Sequence, residues 1–481
     1  MIKKIKWNNY KALGNLELDF SKPDGSVYNT IILAGENGVG KTTILETLAK
    51  FLNLGSIEPF EYINYQIDND SYTVSPDYKN LDGAQYGFHS RINDSTGVNI
   101  SINTNKYTNP TFIEEDTADI RHYGVAYSKA RSGFNTQKVT SSTLQQLDID
   151  KYENDAKDDF TSLKQLLVDV DTQDNSEWMR ITKSGKGTSF DEFKKTSKMH
   201  RFEEAFNDFF ETIKFKNVDD TDPNEKKIIF EKHGKNISID DLSTGEKQIV
   251  FRGAHLLKNI NSISNGTVLI DEPELSMHPK WQQNILQYYR KLFTKNNTQS
   301  VQMIIATHSE YVLRAALEDR DNVLIIILSD DNGTIVSKRI TAPSVLPTIT
   351  AAETNYLAFG IISPDYHIEL YGYLQNKTNR YSVKRCDDYI VAQTSIYNPT
   401  LHYKPSSFTN ISGNTVTYQT LPTYIRNAID HPSPTNPYTQ DELKTSIELL
   451  IQLCRYFLNS ILQRLSFFLF ILVNNPLNIF Y

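Results

Sequence analysis

Cysteine is almost absent from this chain: Cys386 and Cys454 are the only two in 481 residues, and their spacing is not that of a metal site. That excludes a disulfide framework and suits a reducing compartment. Long apolar runs are missing too. The most apolar stretch, Phe467 to Val473, is far shorter than the ~20 residues a membrane span requires, so no membrane insertion is expected and the stretch reads as a buried or partner-facing end. The start, Met1-Ile2-Lys3-Lys4-Ile5-Lys6-Trp7, has no apolar h-region, so no signal peptide is expected and a cytoplasmic location is. Positive charge is not in excess. With 50 Lys+Arg against 58 Asp+Glu the net charge is -8, which argues against nucleic-acid affinity of the whole chain without excluding a local basic groove. No heptad pattern persists, which argues against a long coiled-coil arm, and internal repeats are not evident. The ten histidines form neither a His-x-x-Glu-His nor a His-Asn-His cluster, so the chain alone is not expected to cut nucleic acid.

What is present is an ordinary globular composition, 39% apolar and 22% charged. The length suggests two to four units at a prior of about 150 residues per domain. The stretch around which the chain is organised is Gly35-Glu36-Asn37-Gly38-Val39-Gly40-Lys41-Thr42-Thr43, between the apolar run Ile31 to Ala34 and the amphipathic run Ile44 to Leu52. Strand, glycine loop and helix in that order make G-x-x-x-x-G-K-T a Walker A loop. Its backbone N–H groups wrap a phosphate, Lys41 reaches the β- and γ-phosphates of ATP, and the Thr42 hydroxyl takes a Mg²⁺ position.

Before that loop, Ile2 to Trp7 and Leu16 to Phe20 alternate as a half-buried hairpin, with Lys11 between them. After it, Phe60 to Ile120 reads as edge strands and loops, and Gly124 to Ser128 as a core strand followed by Arg131. Arg131 reads equally as a nucleotide sensor or a surface arginine, and Gln137 is a weak candidate γ-phosphate sensor. From Leu144 to Phe215 apolar positions recur at three and four, as in Phe160, Leu163, Leu166 and Leu167 and in Phe202, Phe206 and Phe209, the pattern of helices in a small lobe whose aromatic stripe is core.

Three further blocks follow in a fixed order. Asp241-Leu242-Ser243-Thr244-Gly245-Glu246-Lys247-Gln248 opens a helix, and reads both as a cap with Ser243 and Glu246 and as an ABC-type signature whose Ser243 and Gly245 face an anion. Thr267 to Ile270 is an apolar strand ending in Asp271-Glu272-Pro273, a Walker B. Asp271 would hold Mg²⁺ through water, and Glu272 would polarise the attacking water as general base. Glu274 to Pro279 occupies the place of the D-loop, which speaks to an opposite subunit. Met303 to Thr307 then delivers His308 as a switch histidine on the γ-phosphate.

These elements resemble the ABC-type ATPase head shared by recombination ATPases and the overcoming-lysogenization-defect family. In such heads the signature reaches the γ-phosphate only from a second head, which implies a homodimer around two ATP molecules, with a higher homo-oligomer built upon it. The resemblance also brings a basic residue near the adenine or α-phosphate, for which Lys11 is the candidate against a solvated surface lysine. With Ala351 to Tyr356, Tyr366 to Leu374, Thr420 to Pro432 and Asp441 to Ile447, the chain looks like the PtuA ATPases of the bacterial Septu anti-phage system, also found with some retrons. That family implies a separate HNH nuclease, PtuB, as partner, nucleic acid reached through the complex, and docking by the C-terminal region. The family pattern of paired histidines before proline is replaced by Asp430-His431-Pro432, so a helix-capping or docking role fits there better than a metal role.

The expected fold is α/β. An ATPase head with a mixed sheet, flanking helices and a helical lobe occupies 1–140, 141–235 and 236–344, and an α-rich partner-binding domain occupies 345–481. Tyr366, Tyr371, Tyr373 and Tyr424 suggest an interface, although packing within the domain is the commoner fate of each. A DNA-repair or recombination ATPase is the main alternative. An overcoming-lysogenization-type enzyme with its own nuclease would require an Asp-x-Asp metal pair at a strand end after His308; Asp319-Arg320-Asp321 has that spacing but precedes the apolar run Val323 to Leu328 rather than ending it, and Asp330-Asp331 are adjacent. A transporter subunit is disfavoured by the long insert between Walker A and signature and by the large C-terminal extension.

Overall fold

The computed structural model describes residues 1–77, 89–102, 113, 115–131, 134–149, 151, 160–185, 189–295, 298–340, 345–409, 415–432, 434 and 437–456. The run Phe467 to Val473 lies outside them. The chain divides into two compact units, Met1–Ile340 and Thr341–Tyr481.

The first unit opens with β1 (Ile2–Trp7), β2 (Glu17–Asp19), β3 (Thr30–Gly35) and α1 (Lys41–Leu52), followed by β4 (Phe60–Ile67), β5 (Asp70–Pro76), β6 (His89–Asn93), β7 (Asn99–Ile102) and β8 (Val125–Ser128). Helices α2 (Phe160–Lys183), α3 (Phe190–Thr196) and α4 (His200–Phe209) come next, then β9 (Ile213–Asp219), β10 (Lys227–Lys232) and β11 (Lys235–Ser238). The segment expected to be helical therefore also holds strands of a small antiparallel sheet, ordered β11-β10-β9. The unit closes with α5 (Thr244–Leu257), β12 (Thr267–Asp271), α6 (Pro279–Leu292), the short pair β13 (Thr294–Lys295) and β14 (Thr298–Gln299), β15 (Gln302–Thr307), α7 (Glu310–Glu318), β16 (Val323–Asp331) and β17 (Thr334–Arg339).

Two six-stranded sheets organise this unit. One is antiparallel, ordered β2-β1-β4-β5-β6-β7, and carries Asn99 to Ile102 of the run expected as an edge strand at its edge. The other is ordered β17-β16-β3-β15-β12-β8 and is parallel except for β17. Parallel strands covered on both faces read as unbroken apolar runs, and β3, β12 and β15 are buried at every position. Asp271 is in register with Ala306, and Ala306 with Leu33, so β12, β15 and β3 end level with one another. Ligands of such sheets bind beyond the carboxyl ends of the strands, and all three candidate motifs emerge there. The sheets are tied together by Gln302, whose side chain accepts from Ile2 N–H at 2.7 Å and donates to the Ile2 carbonyl at 2.8 Å. The Trp7 indole donates to Thr47 of α1 at 3.2 Å.

The second unit contains α8 (Ala351–Phe359), α9 (Pro364–Thr378), α10 (Val383–Ala392), α11 (Pro399–His402), the hairpin β18 (Tyr403–Thr409) and β19 (Thr415–Thr420), α12 (Leu421–Asp430) and a helix α13 over 440–456. Its core includes Leu370, Leu374, Ile390, Ile425, Ile447 and Leu450. Tyr366 and Tyr371, expected at an interface, are buried in that core. Tyr373 and Tyr424 pack against it partly buried. The reason is their register on α9: Tyr366, Leu370, Tyr371 and Leu374 share one helical face, and that face turns inward. Both cysteine thiols are buried, which pushes each up to about 12 and leaves them inert structural groups.

Candidate functional site

The loop between β3 and α1 needs glycine at its last position. Gly40 has φ 85° and forms the N-cap of α1, and a Cβ there would stand 2.4 Å from Leu13 Cδ2, in the short 3₁₀ turn Lys11–Leu13. The turn carrying Lys11 thus packs on the phosphate loop through Leu13. Lys11 itself is exposed, with Nζ 5.2 Å from the Tyr10 ring centroid. Glu36, Asn37 and Gly38 are exposed, Val39 is buried, and Thr43 lies on the first turn of α1 with its carbonyl accepting from Thr47 Oγ1 at 2.9 Å.

Lys41 is only 6% exposed, and its Nζ donates to the carbonyls of Gly35 and Glu36 at 2.8 Å each. Burial lowers its pKa, opposed by the charges of Glu272, Asp271 and Glu274. An anion entering the loop relieves this burial by adding a compensating charge. Thr42 Oγ1 donates to Asp271 Oδ2 at 2.9 Å, joining positions 229 apart in sequence. Asp271 Oδ1 is buried and has no hydrogen-bond partner among the described residues. Burial, with the neighbouring Glu272 charge, pushes the Asp271 carboxyl up to about 6 against the pull of the Thr42 hydroxyl. A hydroxyl beside an unpartnered carboxylate oxygen is the hard oxygen donor set that suits Mg²⁺.

Glu272 adopts φ 44°, the left-handed region that non-glycine residues rarely enter, and is held there by its N–H donating to Ala306 at 2.9 Å. Its Oε1 lies 3.5 Å from His308 Nδ1. Sequence reasoning missed Glu274. At the start of the Glu274 to Pro279 segment it is buried, and its Oε1 accepts from Thr307 Oγ1 at 2.7 Å and His308 N–H at 3.0 Å. Arg252 was missed as well. Buried on α5, it donates to the carbonyls of Asp271 at 2.8 Å and Lys129 at 3.0 Å, so the helix opened by Ser243 is bonded directly to the end of β12. The available signal was an arginine inside an otherwise apolar helical run.

Ser243 caps α5 in a full capping box: its Oγ accepts from Glu246 N–H at 3.4 Å, and its own N–H donates to Glu246 at 2.8 Å. Gly245 is packed so that a Cβ would meet the Ser276 carbonyl at 2.9 Å. The structure thus brings Lys41, Thr42, Asp271, Glu272 and His308 together, while Ser243 and Gly245 stand at their own helix terminus. Gln137 is exposed, with its N–H donating to Thr161 at 3.0 Å, and Arg131 lies over the Phe160 ring at 5.3 Å. In the second unit Arg426 pairs with Asp430 at 2.6 Å, one helical turn apart. Among the described residues no three His, Cys, Asp or Glu side chains are grouped to hold a metal, and no helix is long and apolar enough to cross a membrane.

A family model described as "AAA domain, putative AbiEii toxin, Type IV TA system" matches residues 31–314. The chain is 25% identical over 403 residues to "Retron Ec83 probable ATPase" of Escherichia coli, an alignment covering 67% of this chain and 70% of that protein. It is 23% identical over 336 residues to "Septu protein PtuA" of Bacillus mycoides (strain KBAB4), covering 67% of this chain and 40% of that protein. Among solved structures it is similar to the SmcHead bound to the C-winged helix domain of ScpA, with 15% identity and a TM-score of 0.42 over 72% of this chain and 99% of that one.

Proposed function

The chain belongs to the AAA-domain family whose model spans residues 31–314, and from that premise we propose that it is the ATP-binding and ATP-hydrolysing subunit of a bacterial anti-phage defence complex. The observation that carries this reading is the meeting of Lys41, Thr42, Asp271, Glu272 and His308 at the level ends of β3, β12 and β15. The defence role rests on the names of the retron and Septu relatives. The finer reading is that two heads close around ATP, with Ser243 and Gly245 of one completing the site of the other, and that this closure controls a separate HNH nuclease. Its support is the family resemblance. Of the four tyrosines, Tyr366 and Tyr371 are core and contribute nothing to a docking surface.

In this reading the loop N–H groups and the N-terminus of α1 bind the phosphates, with Lys41 exchanging its two carbonyl acceptors for phosphate oxygens. Mg²⁺ bound at Thr42 and Asp271 would neutralise charge developing on the transferred phosphoryl group. Glu272 orients a water for in-line attack and takes up its proton. His308, beside Glu272, contacts the γ-phosphate and the attacking water.

Lys41→Ala is expected to lower affinity for a fluorescent ATP analogue by more than about 100-fold, because this lysine compensates charge in the ground state. Glu272→Gln retains ATP and loses about 100-fold or more in turnover, because the base acts only as the reaction proceeds. Turnover at the wild-type rate in Glu272→Gln removes the assignment of the base. An HNH nuclease expressed with the chain is expected to co-purify with it, and its DNA cleavage to change with Glu272→Gln. A nuclease neither bound nor affected leaves an ATPase without this partner.

A further inference from the structure

We propose that Glu274 is a positioning residue for ATP hydrolysis that acts through His308, a role that rests on the ATPase reading of Glu272 and His308. The carboxylate is 4% exposed, on the turn that leaves β12. Its Oε1 holds the end of β15 at two adjacent points, the Thr307 hydroxyl at 2.7 Å and the His308 N–H at 3.0 Å. Thr307 Oγ1, whose hydroxyl donates to Glu274, also accepts from Ser309 N–H at 3.0 Å. Ser309 Oγ donates to Gln282 of α6 at 2.7 Å while capping α7. Three consecutive residues, 307 to 309, are thereby fixed in one chain of bonds that starts at Glu274.

The same carboxylate oxygen lies 3.6 Å from His308 Nδ1, and Glu272 Oε1 lies 3.5 Å from that nitrogen. Two carboxylates facing one ring nitrogen keep the proton on Nδ1 and leave Nε2 as the outward atom. Glu274 therefore sets both where the imidazole stands and which nitrogen it presents. Its Oε2 takes no part in this and is unpartnered among the described residues. Removing the carboxylate leaves the Thr307 hydroxyl and the His308 N–H without their acceptor in a buried place, so the strand end relaxes. A displacement of ~1 Å at a reacting group is enough to cost about 100-fold in rate.

The test is a double-mutant cycle on the full chain with ATP, followed to single turnover so that slow variants are still measured. Glu274→Ala is expected to lower the hydrolysis rate about 10- to 100-fold with ATP affinity within about threefold of wild type. Glu274→Gln, which can place an amide oxygen where Oε1 stands, loses less. In a His308→Ala background Glu274→Ala changes the residual rate by less than about twofold, because the group it positions is gone. Thr307→Val, which removes the bond while keeping Glu274, shows the same dependence on His308 and serves if Glu274→Ala does not fold. A readout independent of turnover is the ¹³C resonance of the His308 ring, identified by its absence from His308→Ala. It shifts in Glu274→Ala and in Thr307→Val. Equal fractional losses in both backgrounds, or an unshifted ring resonance, overturn the proposal. A wild-type chain that binds ATP without hydrolysing it refutes the ATPase reading instead, and the ring resonance then still decides whether Glu274 positions His308.

Discussion

Asp271 in the first unit and Asp387 in the second are both buried carboxylates, and they are partnered differently. Asp387 accepts three hydrogen bonds, from Gln419 N–H at 2.9 Å, Thr420 N–H at 3.0 Å and Thr420 Oγ1 at 2.7 Å. Thr420 passes the connection to Thr423, and Thr423 to Tyr371, each at 3.0 Å. This network fastens α10 to the start of α12 using protein groups alone. Asp271 has one bond, to Thr42, and an oxygen with no protein partner. Burial without satisfaction costs free energy, so a carboxylate kept in that condition at the end of a parallel sheet is poised for a ligand. One carboxylate is satisfied within the fold, and the other keeps an oxygen without a protein partner.

The strongest way to break this contrast is Asp387→Ala. It strands three donors in the interior and is expected to destabilise the second unit by about 3–5 kcal/mol. All three tryptophans, Trp7, Trp178 and Trp281, lie in the first unit, so their fluorescence reports that unit while far-UV circular dichroism reports both. An early dichroism transition with unchanged fluorescence and unchanged ATP affinity is the expected result. Loss of ATP binding would show that Asp387 serves more than its own unit.

Asp271→Asn should act in the opposite direction on stability. The folded carboxyl titrates at about 6, above its ordinary value of 3.8, so its ionised form costs stability above about pH 6, and the cost fades as pH falls toward 3.8. Without nucleotide or Mg²⁺, the variant is expected to be more stable than wild type by about 2–3 kcal/mol at pH 8 and equal to it near pH 4, while ATP hydrolysis falls at least about 100-fold. Denaturant titrations at the two pH values check the sign. A destabilised variant at pH 8 would place Asp271 with Asp387 as a structural group.

The smallest effect belongs to Asp430→Asn. The Arg426–Asp430 pair, 2.6 Å long on one helix, is partly exposed, so its loss costs about 0.3–0.5 kcal/mol and less at high salt. A larger cost would mean that the pair has a role beyond the helix surface.

Much of the head is legible because its signals are local. The run Ile31 to Ala34 needs only burial on both faces to become β3, and Ser243 with Glu246 closes its own cap within a single turn. The four blocks lie far apart in the chain, yet parallel strands in register bring β3, β12 and β15 to one edge, so their order along the chain already implied a common site. The second unit was harder to read. Tyr366 and Tyr371 have polar tips, and residue type does not say which face of α9 meets the core. The structure does: Tyr371 finds Thr423, 52 positions on, and Tyr366 lies 3.4 Å from Glu353.

The residues proposed to arm the site, Lys41, Thr42, Asp271, Glu272 and His308, follow from sequence, because phosphate binding demands particular residue types at fixed short spacings that strand and helix propensities alone can frame. The buried charges that brace each unit were decided by tertiary structure. Glu274 meets Thr307 and His308 across 33 and 34 positions, Arg252 meets Lys129 across 123, and Asp387 meets Thr420 across 33. A buried carboxylate or guanidinium takes its partners from whatever backbone and hydroxyl groups the packed elements place beside it. No spacing along the chain encodes that choice, because it exists only once the elements have packed.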